Sequence, residues 1–211
     1  VYYHMFHYNG IDDPAAVEFI DRLNAMFAAA RAVGMKTLVL VTANDAYLNS
    51  PEDLRYVGDV PRNWGTELCP AKPAARALLL QQFRDAFERF PGVDYLNIWP
   101  YDSGGCLCGD CAPWGVNGLY SLAEEIAGVF RATHPEGKVV LSTWYFDYNC
   151  HECGEWDEFF RRMDAGELDW VDLVMSDGAY VNGYFPQRLL DHPIAKPVIG
   201  FLEFSMRTGT P

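Results

Sequence analysis

A chain of 211 residues, half of them hydrophobic and 15% aromatic, can bury one substantial core. Its net charge of −13 repels phosphate backbones, which speaks against a nucleic-acid partner. No apolar stretch is long enough to span a membrane and none is of low complexity, so residues 1–211 read as a single domain.

Val1 to Asn9 reads as the end of a strand and the loop after it. Asp13 then caps a helix with Pro14 at its first position, and Val17, Ile20, Leu23 and Phe27 recur at helical spacing until Gly34. Met35 to Thr42 is a near-continuous apolar run, as a parallel strand buried on both faces requires. Asn44, Asp45 and Tyr47 follow it. Ser50-Pro51 starts a short helix, and Tyr56 to Pro73 is a long loop. A helix over Ala74 to Phe90 is broken by Pro91-Gly92, and Asp94 to Trp99 is the next strand. Pro100, Tyr101 and Asp102 lead into a loop rich in Gly and Cys, and a helix runs from Asn117 or Gly118 to His134. Lys138 to Tyr145 is a third strand, followed by a helix over Glu155 to Met163. A fourth strand, Val171 to Met175, leads to Asp177, a short helix spans Pro186 to Leu190, and a fifth strand, Pro197 to Phe201, leads to Glu203.

Strand and helix alternate throughout, so the sheet is parallel and its crossovers right-handed. Carboxylate, amide and aromatic groups gather at the C-terminal strand ends, where barrel enzymes build their sites. No Gly-rich phosphate loop opens a helix, and no organic cofactor is expected. The fold expected is therefore a (β/α)8 barrel rather than a doubly wound sheet. Five clear strands and one partial strand are fewer than the eight of a closed barrel, so an incomplete portion is expected, with open edges suited to self-association. Both ends read as cut, which leaves the compartment open, secreted or periplasmic included.

Cleaving a sugar requires a carboxylic acid to protonate the leaving oxygen, and commonly a second carboxylate on the other face. Asp102, directly after a buried strand, is the first candidate for the acid. Glu203, set among Phe201, Leu202 and Phe204, and Asp177 are candidates for its partner. Asn44, Trp99, Tyr101, Trp144, Tyr145 and Asp147 are candidate substrate contacts, the aromatic ones offering apolar platforms. His4, His7 and His151 read as ordinary polar residues.

Cys106, Cys108 and Cys111 place three thiolates within six residues of one loop, and tetrahedral zinc needs four ligands. The fourth is Cys69, Cys150 or Cys153; on spacing alone, Cys108 and Cys111 with Cys150 and Cys153 form the familiar paired arrangement. Free or disulfide-bonded cysteines are the alternative. A zinc held by thiolates alone is structural, because no coordination position stays open.

Leu68-Cys69-Pro70-Ala71-Lys72-Pro73, the helix after it, Phe90-Pro91 and Tyr95-Leu96-Asn97-Ile98 resemble bacterial β-hexosaminidases of glycoside hydrolase family twenty. The resemblance places Tyr101 and Asp102 where that family carries a catalytic Asp-Glu pair. This chain departs there, with one carboxylate in place of two. A closer likeness is to uncharacterised bacterial relatives of these barrels. It rests on Trp99 to Cys111, Pro113 to Gly118, Ser142 to Asp147 and Phe201 to Met206. That likeness implies a chain running from near the end of the second barrel strand to just past the seventh, and it favours Cys69 as the fourth ligand.

The expected function is hydrolysis of a glycosidic bond in a poly- or oligosaccharide, with Asp102 as general acid and Glu203 or Asp177 as partner. Two alternatives are a carbohydrate-binding barrel without catalysis and a zinc-dependent hydrolase using the Cys and His cluster.

Overall fold

The computed structural model describes residues 1–58, 65–102, 104–147, 153–177 and 187–201, with the side chains of Asp177 and Phe201 left aside. Glu203, Cys150, His151 and the segment up to Met206 lie outside these residues.

Five strands form one parallel sheet: β1 (Leu38–Thr42), β2 (Tyr95–Trp99), β3 (Lys138–Ser142), β4 (Leu173–Asp177) and β5 (Val198–Phe201). Their order in space is their order in the chain. A doubly wound sheet reverses direction at a switch point, whereas a barrel winds one way. Tyr2 extends the series by a parallel bridge to Leu40 on the far side of β1, through Tyr3 N–H to the Leu40 carbonyl (3.0 Å) and Leu40 N–H to the Val1 carbonyl (2.8 Å). The chain is thus an α/β fold with the winding of a partial barrel.

The register sets Leu40 beside Asn97, and Thr42 beside Trp99. Side chains alternate along a strand, so Leu40, Thr42, Asn97 and Trp99 share one face while Leu96 and Ile98 share the other. Asn97 Nδ2 lies 3.4 Å from Met175 Sδ, passing over the intervening β3, which makes that shared face the concave one. On the convex side pack α2 (Pro73–Glu88) and α4 (Leu119–Thr133), which contact one another. Phe83, Phe87 and Phe130 are fully buried there, with Phe87 and Phe130 edge to face at 5.4 Å.

Each helix follows its local signals. In α1 (Pro14–Ala32), the Asp13 carboxylate accepts from Ala15 N–H at 2.9 Å, and Ala16, Ile20, Leu23 and Phe27 face inward. Ser50-Pro51 opens only a single 3-10 turn, Glu52–Leu54. Before α4 stands a short helix not foreseen as separate, α3 (Trp114–Asn117), which packs on α5 (Glu155–Asp164). The Trp114 indole is buried and donates to the Pro100 carbonyl at 2.6 Å, which anchors the loop after β2. A short α6 (Gln187–Asp191) precedes β5.

Three strands differ by two or more residues from the runs that announced them, β4 spanning Leu173–Asp177 rather than Val171–Met175. β1 begins at Leu38, because Met35 N–H bonds back to Ala30 at the end of α1 and Met35 is exposed. β3 stops at Ser142, because the backbone turns at Tyr145, which has φ 63°. Aspartates fix the opposite, N-terminal ends. Asp94 Oδ2 accepts from Thr37 N–H at 2.8 Å, and Asp172 Oδ2 from Val139 N–H at 2.7 Å. No helix among the described residues is long and apolar enough to cross a membrane.

Candidate functional site at the C-terminal strand ends

Three non-glycine residues among those described have positive φ: Asp102 (97°), Tyr145 (63°) and Asp147 (58°). All three follow β2 or β3, and all were singled out on the sequence. Backbone of this kind costs energy for an L residue and collects where a surrounding structure holds it for a purpose.

An aromatic row crosses the same end of the sheet. The His4 and Tyr2 rings lie 3.4 Å apart, Tyr2 and Trp99 5.8 Å, Trp99 and Trp144 4.8 Å in a near-parallel stack, and Trp144 and Tyr145 4.9 Å. The two indoles are buried, so the row is a floor rather than an exposed platform. His4, read on the sequence as ordinary, belongs to it. Burial, then the neighbouring His7, lowers its pKa to about 4.

Asp102, just after β2, is half-buried. Asn44 is fully buried and its amide is engaged on both sides. Nδ2 donates to the Leu68 and Gly105 carbonyls at 2.9 and 3.0 Å, and Oδ1 accepts from Gly105 N–H at 2.9 Å. The Tyr101 hydroxyl donates to Glu155 Oε1, and burial, then that carboxylate, raises its pKa. Asp147 Oδ1 accepts from Gly154 N–H (2.9 Å) and Glu155 N–H (2.8 Å) at the start of α5. Asn44, Tyr101 and Asp147 thus hold loops together through the polar groups expected to meet a substrate. Asp177 ends β4, opposite Phe201 in register; its carboxylate and Glu203 lie outside the described side chains.

On the sequence Glu155 ranks only as a weaker carboxylate than Asp102, Glu203 and Asp177. Its carboxylate is fully buried and joins three segments, accepting from Tyr101 OH, from Gly115 N–H at 2.6 Å and from Asp147 N–H at 2.8 Å. Burial raises its pKa against the pull of these donors. Gly115 is required beside it, since a Cβ there would lie 2.5 Å from Glu155 Oε1.

Asp45, after β1, is also buried, with Oδ2 accepting from Met5 N–H at 2.8 Å. Desolvation raises its pKa well above the ordinary value of 3.8, and the nearby Glu67 adds to the rise. Between those two values the native state binds the extra proton, so stability falls as pH climbs from about 4 through the raised native pKa. Asp45→Asn removes that proton. The variant's melting temperature relative to wild type is expected to rise as pH goes from 4 to about 8. A difference independent of pH would contradict this account of Asp45.

The four thiols of Cys69, Cys106, Cys108 and Cys111 are free, and their sulfur atoms all lie within 4.8 Å of one another. Cys69 comes from the loop before α2, the other three from the loop after β2. Cys153 is disulfide-bonded and stands apart from them. Hydrogen bonding from Cys111 lowers the pKa of Cys106 and raises that of Cys111, while burial pushes Cys69 up to about 11.

No protein-family model matches the chain and no curated protein matches it, so the family-twenty resemblance stands on its quoted residues alone. Among solved structures, an α-amylase of Anoxybacillus aligns with a TM-score of 0.47 at 12% identity, covering 74% of this chain and 33% of its own. An α-amylase of Geobacillus thermoleovorans complexed with acarbose aligns with a TM-score of 0.47 at 13% identity, covering 74% and 34%. A psychrophilic family 10 endo-β-1,4-xylanase aligns with a TM-score of 0.46 at 14% identity, covering 82% and 52%. The chain therefore spans about a third of the length of the two amylases and about half that of the xylanase.

Proposed function

We propose that this chain is part of the catalytic barrel of a glycoside hydrolase, with Asp102 as the general acid and Glu203 or Asp177 as its partner. The observation that carries the proposal is the gathering of left-handed backbone at Asp102, Tyr145 and Asp147 around an aromatic row, at the C-terminal ends of β2 and β3. Asp102 stands at that mouth directly after β2, while Asp147 and Glu155 anchor the loop after β3 to the start of α5. Trp99 and Trp144 supply the apolar floor of the sugar subsite, and Tyr145 closes one side.

A carbohydrate-binding barrel without turnover is the second reading. It is favoured by the commitment of Asp147 and Glu155 to loop anchoring. Asp102→Asn separates the two. Assayed on a panel of aryl glycosides and on oligosaccharides, it is expected to lower turnover by about 10²–10⁴-fold while the melting temperature holds. An unchanged rate would remove Asp102 from the mechanism. Glycan binding by wild type with no product, at any pH tried, would favour the binding reading.

A further inference from the structure

We propose that Cys69, Cys106, Cys108 and Cys111 bind one zinc ion as a closed tetrathiolate that clamps the loop before α2 to the loop carrying Asp102. Four sulfurs placed about 2.3 Å from a tetrahedral centre lie ~3.8 Å from one another. Cys69 Sγ and Cys108 Sγ are 3.6 Å apart, and no pair in the group exceeds 4.8 Å. A disulfide needs about 2.05 Å, and all four cysteines are free thiols.

The backbone around the cluster is arranged for thiolates. Val57 N–H points at Cys106 Sγ at 3.4 Å. Such an N–H donor stabilises the negative charge that sulfur carries when it binds a metal. Soft sulfur ligands select zinc over magnesium or calcium, and four of them leave no position for a substrate or an activated water. The ion is therefore structural, which sets aside the zinc-dependent hydrolase reading for this cluster.

The clamp has a defined reach. Cys69 N–H bonds to Leu54, Leu107 N–H to Val57, and Asn44 joins Leu68 to Gly105. Metal binding thus fixes the far end of the loop that begins at Asp102. The inference stands whether or not the barrel cleaves sugars.

The test uses the wild-type chain, purified under reductant with zinc and then desalted. One zinc per chain is expected, with the four clustered thiols protected from alkylation until a strong chelator is added. Cobalt(II) loaded in its place is expected to give an intense sulfur-to-metal charge-transfer band and the strong d–d bands of tetrahedral geometry. Loss of metal on desalting would overturn the proposal. So would thiols that react equally fast with and without metal, one iron in place of zinc, or two disulfides formed among these cysteines under reductant.

Discussion

Glu155→Ala is expected to destabilise the fold by about 3–5 kcal/mol. The carboxylate sits where three segments meet, and its removal leaves Gly115 N–H, Asp147 N–H and the Tyr101 hydroxyl without their acceptor. Each buried donor left unmade costs about 1–3 kcal/mol. The side chain is fully buried, so water cannot replace it without opening the packing of α3 on α5. For a chain of this length the loss corresponds to a fall in melting temperature of roughly 10 °C. Glu155→Gln keeps an acceptor for Gly115 and Tyr101 but turns an amide donor toward Asp147 N–H, so its cost is expected to fall between wild type and Ala. Urea denaturation of the three proteins decides the matter. A cost for Ala below about 1 kcal/mol would show that the three segments are held by packing alone.

Asn44→Ala is expected to cost about 2–4 kcal/mol and to loosen the cysteine cluster as well. The amide is the bridge between the backbone at Leu68, beside Cys69, and at Gly105, beside Cys106. No smaller or apolar side chain can bond to both. Asn44→Asp is expected to be at least as damaging, since it would set a buried carboxylate oxygen against two carbonyls where Nδ2 now donates. The neighbouring Gly104 leaves no room for adjustment: a Cβ there would lie 2.5 Å from both the Pro100 carbonyl and Thr42 Cγ2. Thermal melts give the stability. The alkylation rate of the free thiols gives the loosening, and an unchanged rate in Asn44→Ala would mean that the cluster holds itself.

The strands were legible because a parallel sheet covered on both faces demands continuous apolar runs, and Leu38–Thr42, Tyr95–Trp99 and Lys138–Ser142 answer that demand. Their ends were not, because a strand ends where its partners end. Thr143 still donates to Met175, but Tyr145 has already turned the chain away. The thiol cluster was half legible. Three cysteines share one short loop, whereas Cys69 lies 39 residues before Cys108 and is brought to it by the intervening α2 and β2. Glu155 gave only a weak local signal. It stands with Asp157 and Glu158 in the first turn of a helix, where acidic residues serve the helix dipole in solvent. Its contacts with Tyr101, 54 residues earlier, and with Gly115, 40 residues earlier, distinguish it. The same limit applies to Asn44, Tyr101 and Asp147. Sequence placed them correctly at strand ends, but it could not say that their polar atoms face other loops.

The one-way winding of the sheet also bears on how the chain acquires its structure. Each strand pairs with the one made just before it: β1 with β2, β2 with β3, β3 with β4, β4 with β5. A newly synthesised strand therefore finds its partner already in place, at the cost of closing one crossover loop rather than the whole circuit. Growth by single strand–helix additions keeps contacts local for a parallel fold and shortens the interval during which each new edge stands uncovered.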